Sequence, residues 1–384
     1  MKIITVDTSG RGGICHYTYL LCCALSSLEK EITLLTTRNY ELNSFKKNFN
    51  IIKILPTHYQ KRYKFSKGLI YFRSLIKILF YILSKKPDVV HFHQIKIPSV
   101  EFLFYKLIGL NNVKIVITLH DIIPFESKIV SPFLNYICNT ADGIIVHSEE
   151  NLEVLKNYVS EKVQKKIKII HHGEYSFYIK NITKEDARKI LEIDNGKKVL
   201  LFFGYIRRYK GLDILLESVK ILKEKYPEIF LIIAGEDIEG FSRYQKVINE
   251  LGIEECVMKR IEYIPIDECS IYFSASDVVV LPYRNIYQSG IVFLSYAHSR
   301  PVITTNVGGF PDVVEDGRSG YIVKSNHPTT LAEKIEKLFS SPSEFAKMGD
   351  YGYRMAKQKF SWESAAERTY GLYSSICNYL KIAI

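Results

Sequence analysis

The run VLLFFGYIRRYKGLDILLES, residues 199–218, decides the fold. Val199–Phe203 is a short apolar stretch without polar alternation, the pattern of a parallel strand covered on both faces. Gly204 closes it. A cationic loop with Arg207, Arg208 and Lys210 follows, and Gly211 opens an apolar-periodic stretch over 211–225 with helical spacing. The same alternation continues downstream: strand Ile229–Ala234 with Gly235, helix 241–251, strand Val257–Ile264, helix 267–275, strand Asp277–Leu281, helix 289–299, Val302–Thr304, Tyr321–Val323 and helix 328–339. Upstream, the polar residues 173–198 read as a linker with a short helix. Before them a second series runs Ile3–Val6, helix 14–28, Ile32–Thr36, a basic helix, Val89–Phe92, helix 99–109, Val113–Leu119, Ile144–Val146 and Ile167–Ile170. Strand–helix alternation with right-handed crossovers predicts an α/β chain of two Rossmann-like, doubly wound halves.

The 384 residues suit two domains with ample core; 47% are hydrophobic and 24% charged. The seven cysteines contain no Cys-x-x-Cys pair, which argues against a zinc site and a disulfide framework and fits a reducing cytoplasm. The first residues, MKIITVD, read as a strand and not as a secretory leader. The most apolar stretch, 68–83, carries Arg73 and Lys77, so a membrane span is not expected. The expected location is the cytoplasm. In that compartment the glycosylation-like Asn181-Ile-Thr183 carries no meaning.

The formal net charge is +11, and it is unevenly spread. Residues 58–86 hold Lys61, Arg62, Lys64, Lys67, Arg73, Lys77, Lys85 and Lys86 without one Asp or Glu, interleaved with Tyr and Phe. A basic, aromatic amphipathic segment suits an anionic membrane surface. A solvated basic helix face and a nucleic-acid contact are the other readings.

Ligands of open parallel sheets sit beyond the carboxyl ends of strands, so the loops after strands hold the candidates. Gly12 and Gly13 open a helix after the first strand, where a backbone can approach an anion. His120, in Thr118-Leu119-His120-Asp121, ends a strand and can orient or accept from a hydroxyl. His91 and His93 straddle a strand at period two and read as structural or as lining an acceptor. Arg207 and Lys210 lie beside a helix start, a combination suited to pyrophosphate. Gln288, Ser289 and Gly290 open another helix, where N–H groups and a hydroxyl can hold a diphosphate or serve only as a cap.

Taken together, FFGYIRRYKGLDILLES (202–218), LIIAGE (231–236), EYIPIDE (262–268), ASDVVVLPY (275–283), RPVITTNVGGFPDVVEDGRSGYIV (300–323) and FSWESAAERTYGLY (360–373) resemble the retaining glycosyltransferases of family 4, of GT-B fold. The first half is similar more loosely, through Gly12-Gly13, PDVVHFH (87–93), ITLHDIIP (117–124) and IIVHSEE (144–150). The resemblance implies two Rossmann-like domains facing a cleft: an acceptor domain over 1–175, a sugar-nucleotide domain over 176–360, and a final helix, 361–384, returning to the first. It implies that Gly12 and Gly13 lie near donor phosphates, that His120 touches the transferred sugar, that Lys210 binds the diphosphate, and that the backbone at Tyr263 and Ile264 meets the base. The family's Arg follows the strand glycine directly, where this chain has Tyr205; Arg207 is the nearest cation to take its place.

One departure stands out. The family carries two glutamates separated by seven residues, and counting back from Pro301 places the second at Leu294 and the first near Ile286, neither acidic. The stretch YQSGIVFLSYAHSRP resembles a Gln-Ser-Gly variant, with Gln288 in the sugar contact and Ser289 and Gly290 on the diphosphate. The implied reaction is retaining, metal-independent transfer from a nucleotide-diphosphate sugar, with a UDP-sugar favoured, to a hydroxyl of a saccharide or lipid-linked saccharide. The implied setting is cell-envelope polysaccharide, lipopolysaccharide or capsule assembly at the inner membrane face. No cofactor, metal or nucleic acid enters it. A degenerate binding module and a sugar-nucleotide epimerase are the competing readings.

Overall fold

The computed structural model describes residues 1–28, 30–56, 64–123 and 130–382, with backbone alone for 64–67 and 378–382. The chain divides into two units, Met1–Gly173 with Ser361–Ile384, and Glu174–Phe360. The first division falls two residues before the one expected.

Among the described residues, unit 1 has seven strands: β1 Lys2–Val6, β2 Glu31–Thr37, β3 Asn50–Leu55, β4 Val89–Phe92, β5 Lys114–Thr118, β6 Gly143–Val146 and β7 Ile167–Ile169. Their order is β3-β2-β1-β4-β5-β6-β7, with every pair parallel. The order reverses between β1 and β4, so the loops after those strands diverge and leave a crevice. Helix Gly12–Ser27 packs against the final helix, Trp362–Ile382, within this unit. Trp362 fills the space over Gly173, where a Cβ would lie 2.4 Å from the indole. Tyr373 of the same helix meets His91 Nδ1 at 2.6 Å.

Unit 2 has six strands: β8 Lys198–Phe203, β9 Ile229–Ala234, β10 Val257–Arg260, β11 Val278–Leu281, β12 Val302–Thr305 and β13 Gly320–Val323. Their order is β10-β9-β8-β11-β12-β13, again all parallel, with the reversal between β8 and β11. Leu200, Phe202, Leu215, Val219, Leu231 and Ile233 are buried together on one face of the sheet. Arg188 is 2% exposed and closes the other end, away from the ligand edge. Its guanidinium donates to Asp277 Oδ2 (3.0 Å), Ala275 O (3.0 Å) and Asn195 O (2.6 Å), and Asp277 Oδ2 also accepts from Val199 N.

Several elements differ from the sequence reading, among them helices Leu134–Thr140 and Glu149–Lys156, which it did not name, and three whose reasons are plain. The strand expected over 257–264 ends at Arg260, because its partner β9 ends opposite it at Ala234. Strand β3 was not expected; Lys53 interrupts its apolar run, and as an edge strand it pairs only with β2. Helix Pro342–Lys359 was also not expected, since its polar sequence hides the small residues that let it approach its neighbour. A Cβ on Gly352 would lie 2.4 Å from the Tyr296 ring.

Candidate functional sites at the strand ends

In unit 2 the loop after β8 is fixed before any ligand arrives. Gly211 adopts φ +67°, and a Cβ there would meet the Pro282 carbonyl at 2.1 Å, so only glycine lets this turn press against the end of β11. Arg284 grips the same turn: it donates bidentately to Asp213 (2.8 and 2.7 Å), to the Arg208 carbonyl (3.0 Å) and through its backbone N–H to the Tyr209 carbonyl (2.6 Å). Lys210 is thereby carried inward. It is 8% exposed, its Nζ lies 5.3 Å from the Tyr283 ring centroid, and Gly204 leaves room for it at the end of β8. Burial, and then the like charge of Arg207, lower its pKa to about 7. A buried ammonium beside a guanidinium at a strand end is poised for a polyanion, which removes the penalty on Lys210.

Gln288, Ser289 and Gly290 reach the same edge, after β11. Ser289 is buried at the N-cap of helix Gly290–Ala297, and its hydroxyl makes no capping bond. The first-turn N–H groups of that helix favour negative charge. Gln288 Oε1 is withdrawn from solvent without a hydrogen-bond partner among the described residues. Tyr205 and Tyr263 approach with ring centroids 6.1 Å apart, which puts Tyr205, the residue in the family's arginine position, in an aromatic pair beside the expected base contact. Ile264 is buried. Ile286 and Leu294, the counted glutamate positions, are buried apolar side chains.

In unit 1 the loop after β1 is pinned by its own residues. Asp7 is fully buried and accepts from the N–H groups of Ser9 (2.8 Å) and Gly10 (3.2 Å), while Lys96 donates to the Thr8 carbonyl (2.7 Å). Gly12 opens the helix as expected, but its N–H donates to Glu41 Oε2 (3.1 Å), which also meets His16 Nε2 (3.2 Å). A carboxylate of the chain thus occupies the first turn, where an incoming phosphate would sit. Gly13 is exposed in that turn.

His120 lies at the end of β5 among other imidazoles. His93, His147 and His172 come from the ends of β4, β6 and β7, and all surround the Tyr17 ring at centroid distances of 4.8–5.6 Å. Burial drives the imidazoles neutral: the pKa of His91 falls to about 3, of His147 to about 4 and of His172 to about 3, and those of His93 and His120 fall well below the usual value. Sequence reasoning singled out His120 and passed over His147, His172, Glu41 and the Arg284–Asp213 pair. The rule that found His120, a histidine closing a strand, applies equally to His147. Among the described residues no group of three or more His, Cys, Asp or Glu is arranged to hold a metal ion.

Lys61 and Arg62 lie outside the described residues, and Lys64 and Lys67 are described by backbone alone, in helix Lys64–Lys85. On that helix Arg73 and Lys77 are exposed, and so are Leu69, Phe72, Ile76 and Phe80. The opposite stripe, Tyr71, Leu75, Ile78 and Ile82, is buried. Buried Glu101 ties the helix to its neighbour Pro98–Gly109 by accepting from Tyr71, and it accepts from Tyr105 (2.9 Å) within its own helix. That neighbour leaves Leu103 and Leu107 exposed, with Leu110 just beyond its end. Among the described residues no helix is long and apolar enough to cross a membrane.

Residues 11–173 match the family model Glycosyltransferase Family 4, and residues 183–355 match the model Glycosyl transferases group 1. The chain is 28% identical over 311 residues to a D-inositol 3-phosphate glycosyltransferase of Corynebacterium urealyticum, covering 75% of this chain and 72% of that protein. It is 27% identical over 255 residues to spore coat protein SA of Bacillus subtilis, covering 61% and 67%. Among solved structures, sucrose-phosphate synthase of Thermosynechococcus elongatus superposes with a TM-score of 0.77 at 19% identity, covering 98% of this chain and 99% of that one. Anabaena HepE in complex with UDP and glucose gives 0.78 at 18%, covering 98% and 100%. These likenesses and the two parallel sheets give the chain the GT-B fold.

Proposed function

The chain is a GT-B glycosyltransferase of the family 4 type, and from that premise we propose that it is a retaining, metal-independent enzyme that moves a sugar from a nucleotide diphosphate to a saccharide or lipid-linked hydroxyl. The observation that carries this is Lys210, buried beside Arg207 at the end of β8 with its charge penalised until an anion arrives. In the reaction the bond from the anomeric carbon to the diphosphate oxygen breaks. The acceptor oxygen bonds to that carbon on the same face, and its proton passes to the departing phosphate. Lys210, Arg207 and the first turn at Ser289-Gly290 stabilise the charge growing on the diphosphate; one such donor is worth about 3–4 kcal/mol. Within unit 2, Gln288 is assigned to the sugar and the Tyr205–Tyr263 pair to the base; within unit 1, His120 is assigned to a sugar hydroxyl. The Gln-Ser-Gly stretch stands in for the two-glutamate motif. UDP is the favoured nucleotide, as in the solved HepE complexes.

Thermal unfolding with UDP, GDP, ADP and their common sugars tests the donor site. A ligand at 100 times its Kd adds about 2.7 kcal/mol of native stability. A shift with one nucleotide series that is lost in Lys210→Ala supports the reading, and no shift with any of them sinks it. Binding without turnover on any acceptor would favour a non-catalytic module.

The acceptor side is proposed to dock on an anionic lipid surface, consistent with a peripheral place at the inner membrane face in envelope polysaccharide assembly. Leu69, Phe72, Ile76 and Phe80 recur at three- and four-residue spacing on the exposed face of a helix that has no acidic residue, with Arg73 and Lys77 beside them. Exposed apolar side chains flanked by cations match an interfacial helix, and each cation near an anionic surface adds about 1 kcal/mol. Phe72→Ser with Phe80→Ser should abolish co-sedimentation with phosphatidylglycerol vesicles. Arg73→Glu with Lys77→Glu should weaken it at least tenfold. Equal binding to neutral phosphatidylcholine vesicles would remove the electrostatic part of the reading.

A further inference from the structure

Five imidazoles at one edge of unit 1 raise the question of which nitrogens carry protons, and two of the rings answer it by geometry. His147 Nδ1 lies 2.8 Å from the Ile170 carbonyl. A carbonyl only accepts, so the proton is on Nδ1. Ile170 is itself fixed, because its N–H donates to the Val146 carbonyl (2.9 Å) and extends the β6–β7 ladder. His147 is fully buried and neutral, its pKa lowered to about 4 by burial first of all. A neutral imidazole with a proton on Nδ1 has a bare lone pair on Nε2. That Nε2 lies 3.2 Å from His120 Nδ1. His120 Nδ1 must therefore be the donor. His120 is neutral too, its pKa pushed down by burial and by His147, His93 and His172. Its own Nε2 is left as a lone pair, withdrawn from solvent, with no hydrogen-bond partner among the described residues.

We infer that His147 is a positioning residue: anchored on the Ile170 carbonyl, it fixes His120 in the tautomer whose Nε2 is a hydrogen-bond acceptor, so that this edge of unit 1 takes a ligand group that donates, a sugar hydroxyl, at His120. The inference rests on the glycosyltransferase reading for the identity of the ligand. The tautomer itself stands on the geometry. A free imidazole is not committed to either tautomer, and the other one would present an N–H, to which the hydroxyl would have to turn a lone pair instead of its proton. A buried acceptor without its donor is costly, so the contact forms when ligand binds and is missed when the tautomer is wrong. His147 touches no substrate in this scheme and acts only through His120.

The test uses the whole chain, wild type, His147→Leu and His147→Gln. Long-range nitrogen–proton correlation spectra at neutral pH, with His120 assigned from a His120→Asn sample, read the tautomer directly. Wild type should show His120 protonated on Nδ1. His147→Leu should lose that preference, and His147→Gln, whose side-chain oxygen can accept from His120, should keep it. Transfer kinetics with the best donor from the thermal screen should follow: kcat/KM falls about tenfold in His147→Leu and recovers to within about threefold of wild type in His147→Gln. Affinity for the free nucleoside diphosphate should be the same in all three. A wild-type His120 protonated on Nε2, an unchanged tautomer in His147→Leu, or an equal loss in both variants would overturn the inference. If no donor is turned over by wild type, the enzyme reading fails, while the spectra still decide the tautomer.

Discussion

At the scale of single residues, Lys210 shows how a proposed binding residue is written into stability. In the unfolded chain its ammonium has an ordinary pKa of 10.5; in the fold burial lowers it to about 7. Below pH 7 the folded state carries a charge it holds poorly, and stability recovers as pH rises from about 7 toward 10.5, where the unfolded chain still binds the proton. Lys210→Met should therefore raise the melting temperature at pH 6 while weakening nucleotide-sugar binding more than tenfold; a variant that loses both stability and binding would contradict this origin of the shift. A bound diphosphate favours the ammonium. Wild-type affinity should stay level below pH 7 and decline above it, and calorimetry at pH 8 should record proton uptake on binding, absent at pH 6. Lys210 and Arg207 were legible in the sequence because cations between a strand glycine and a helix start have few other uses. Arg284 and Asp213, 71 residues apart, were not, because a clamp between distant loops leaves no local spacing to read. Glu41 was missed for the same reason: its partner, the Gly12 N–H, lies 29 residues earlier.

At the scale of elements, the turn Arg208–Gly211 is held by Arg284 as well as by its own backbone bonds. The Arg284–Asp213 pair is partly exposed, so its direct worth to stability is about 1 kcal/mol or less. Arg284→Leu should accordingly leave the melting temperature within about 2 °C and weaken the nucleotide sugar about tenfold through a misplaced Lys210; binding at wild-type strength would show that the turn orders itself. The interior strands were legible because parallel strands covered on both faces are continuous apolar runs. Edge strands are not so covered, which is why β3 was missed and β10 overextended: side chains of both face solvent, as Lys53, Lys259 and Arg260 do. Helix Pro342–Lys359 was hidden for a different reason. It packs through glycines, and Gly349 and Gly352 register as breakers in a sequence and as close contacts in the fold.

At the scale of the whole molecule, the two units differ in what acid does to them. His91, His147 and His172 of unit 1 are buried neutral, with pKa values of about 3, 4 and 3 against 6.5 when free. Between pH 6.5 and about 4 the unfolded chain binds protons that the fold refuses, and each such imidazole removes about 1.4 kcal/mol of stability per pH unit. Unit 2 has one comparable group, His298, at about 4. Calorimetry on acidification should show the transition of unit 1 moving down well before that of unit 2, which a bound nucleotide would mark by shifting it alone. Simultaneous loss of both would mean that the units unfold as one. The two-unit plan was readable from the restart of the strand pattern near residue 199, whereas the return of the last helix was implied only by the family resemblance. The histidine cluster was not, because its members lie on separate strands and meet only when β4, β5, β6 and β7 line up side by side.

That returning helix sets an order of birth. On the ribosome Glu174–Phe360 emerges as one uninterrupted run, whereas the first 173 residues wait for Trp362–Ile382 to be synthesised after it. The surface of helix Gly12–Ser27 that the last helix covers stays open throughout that interval, a period when chaperones have something to hold. Termination just past residue 360 would leave a finished unit 2 joined to an unfinished unit 1, and such products should be recognised and degraded through their first half.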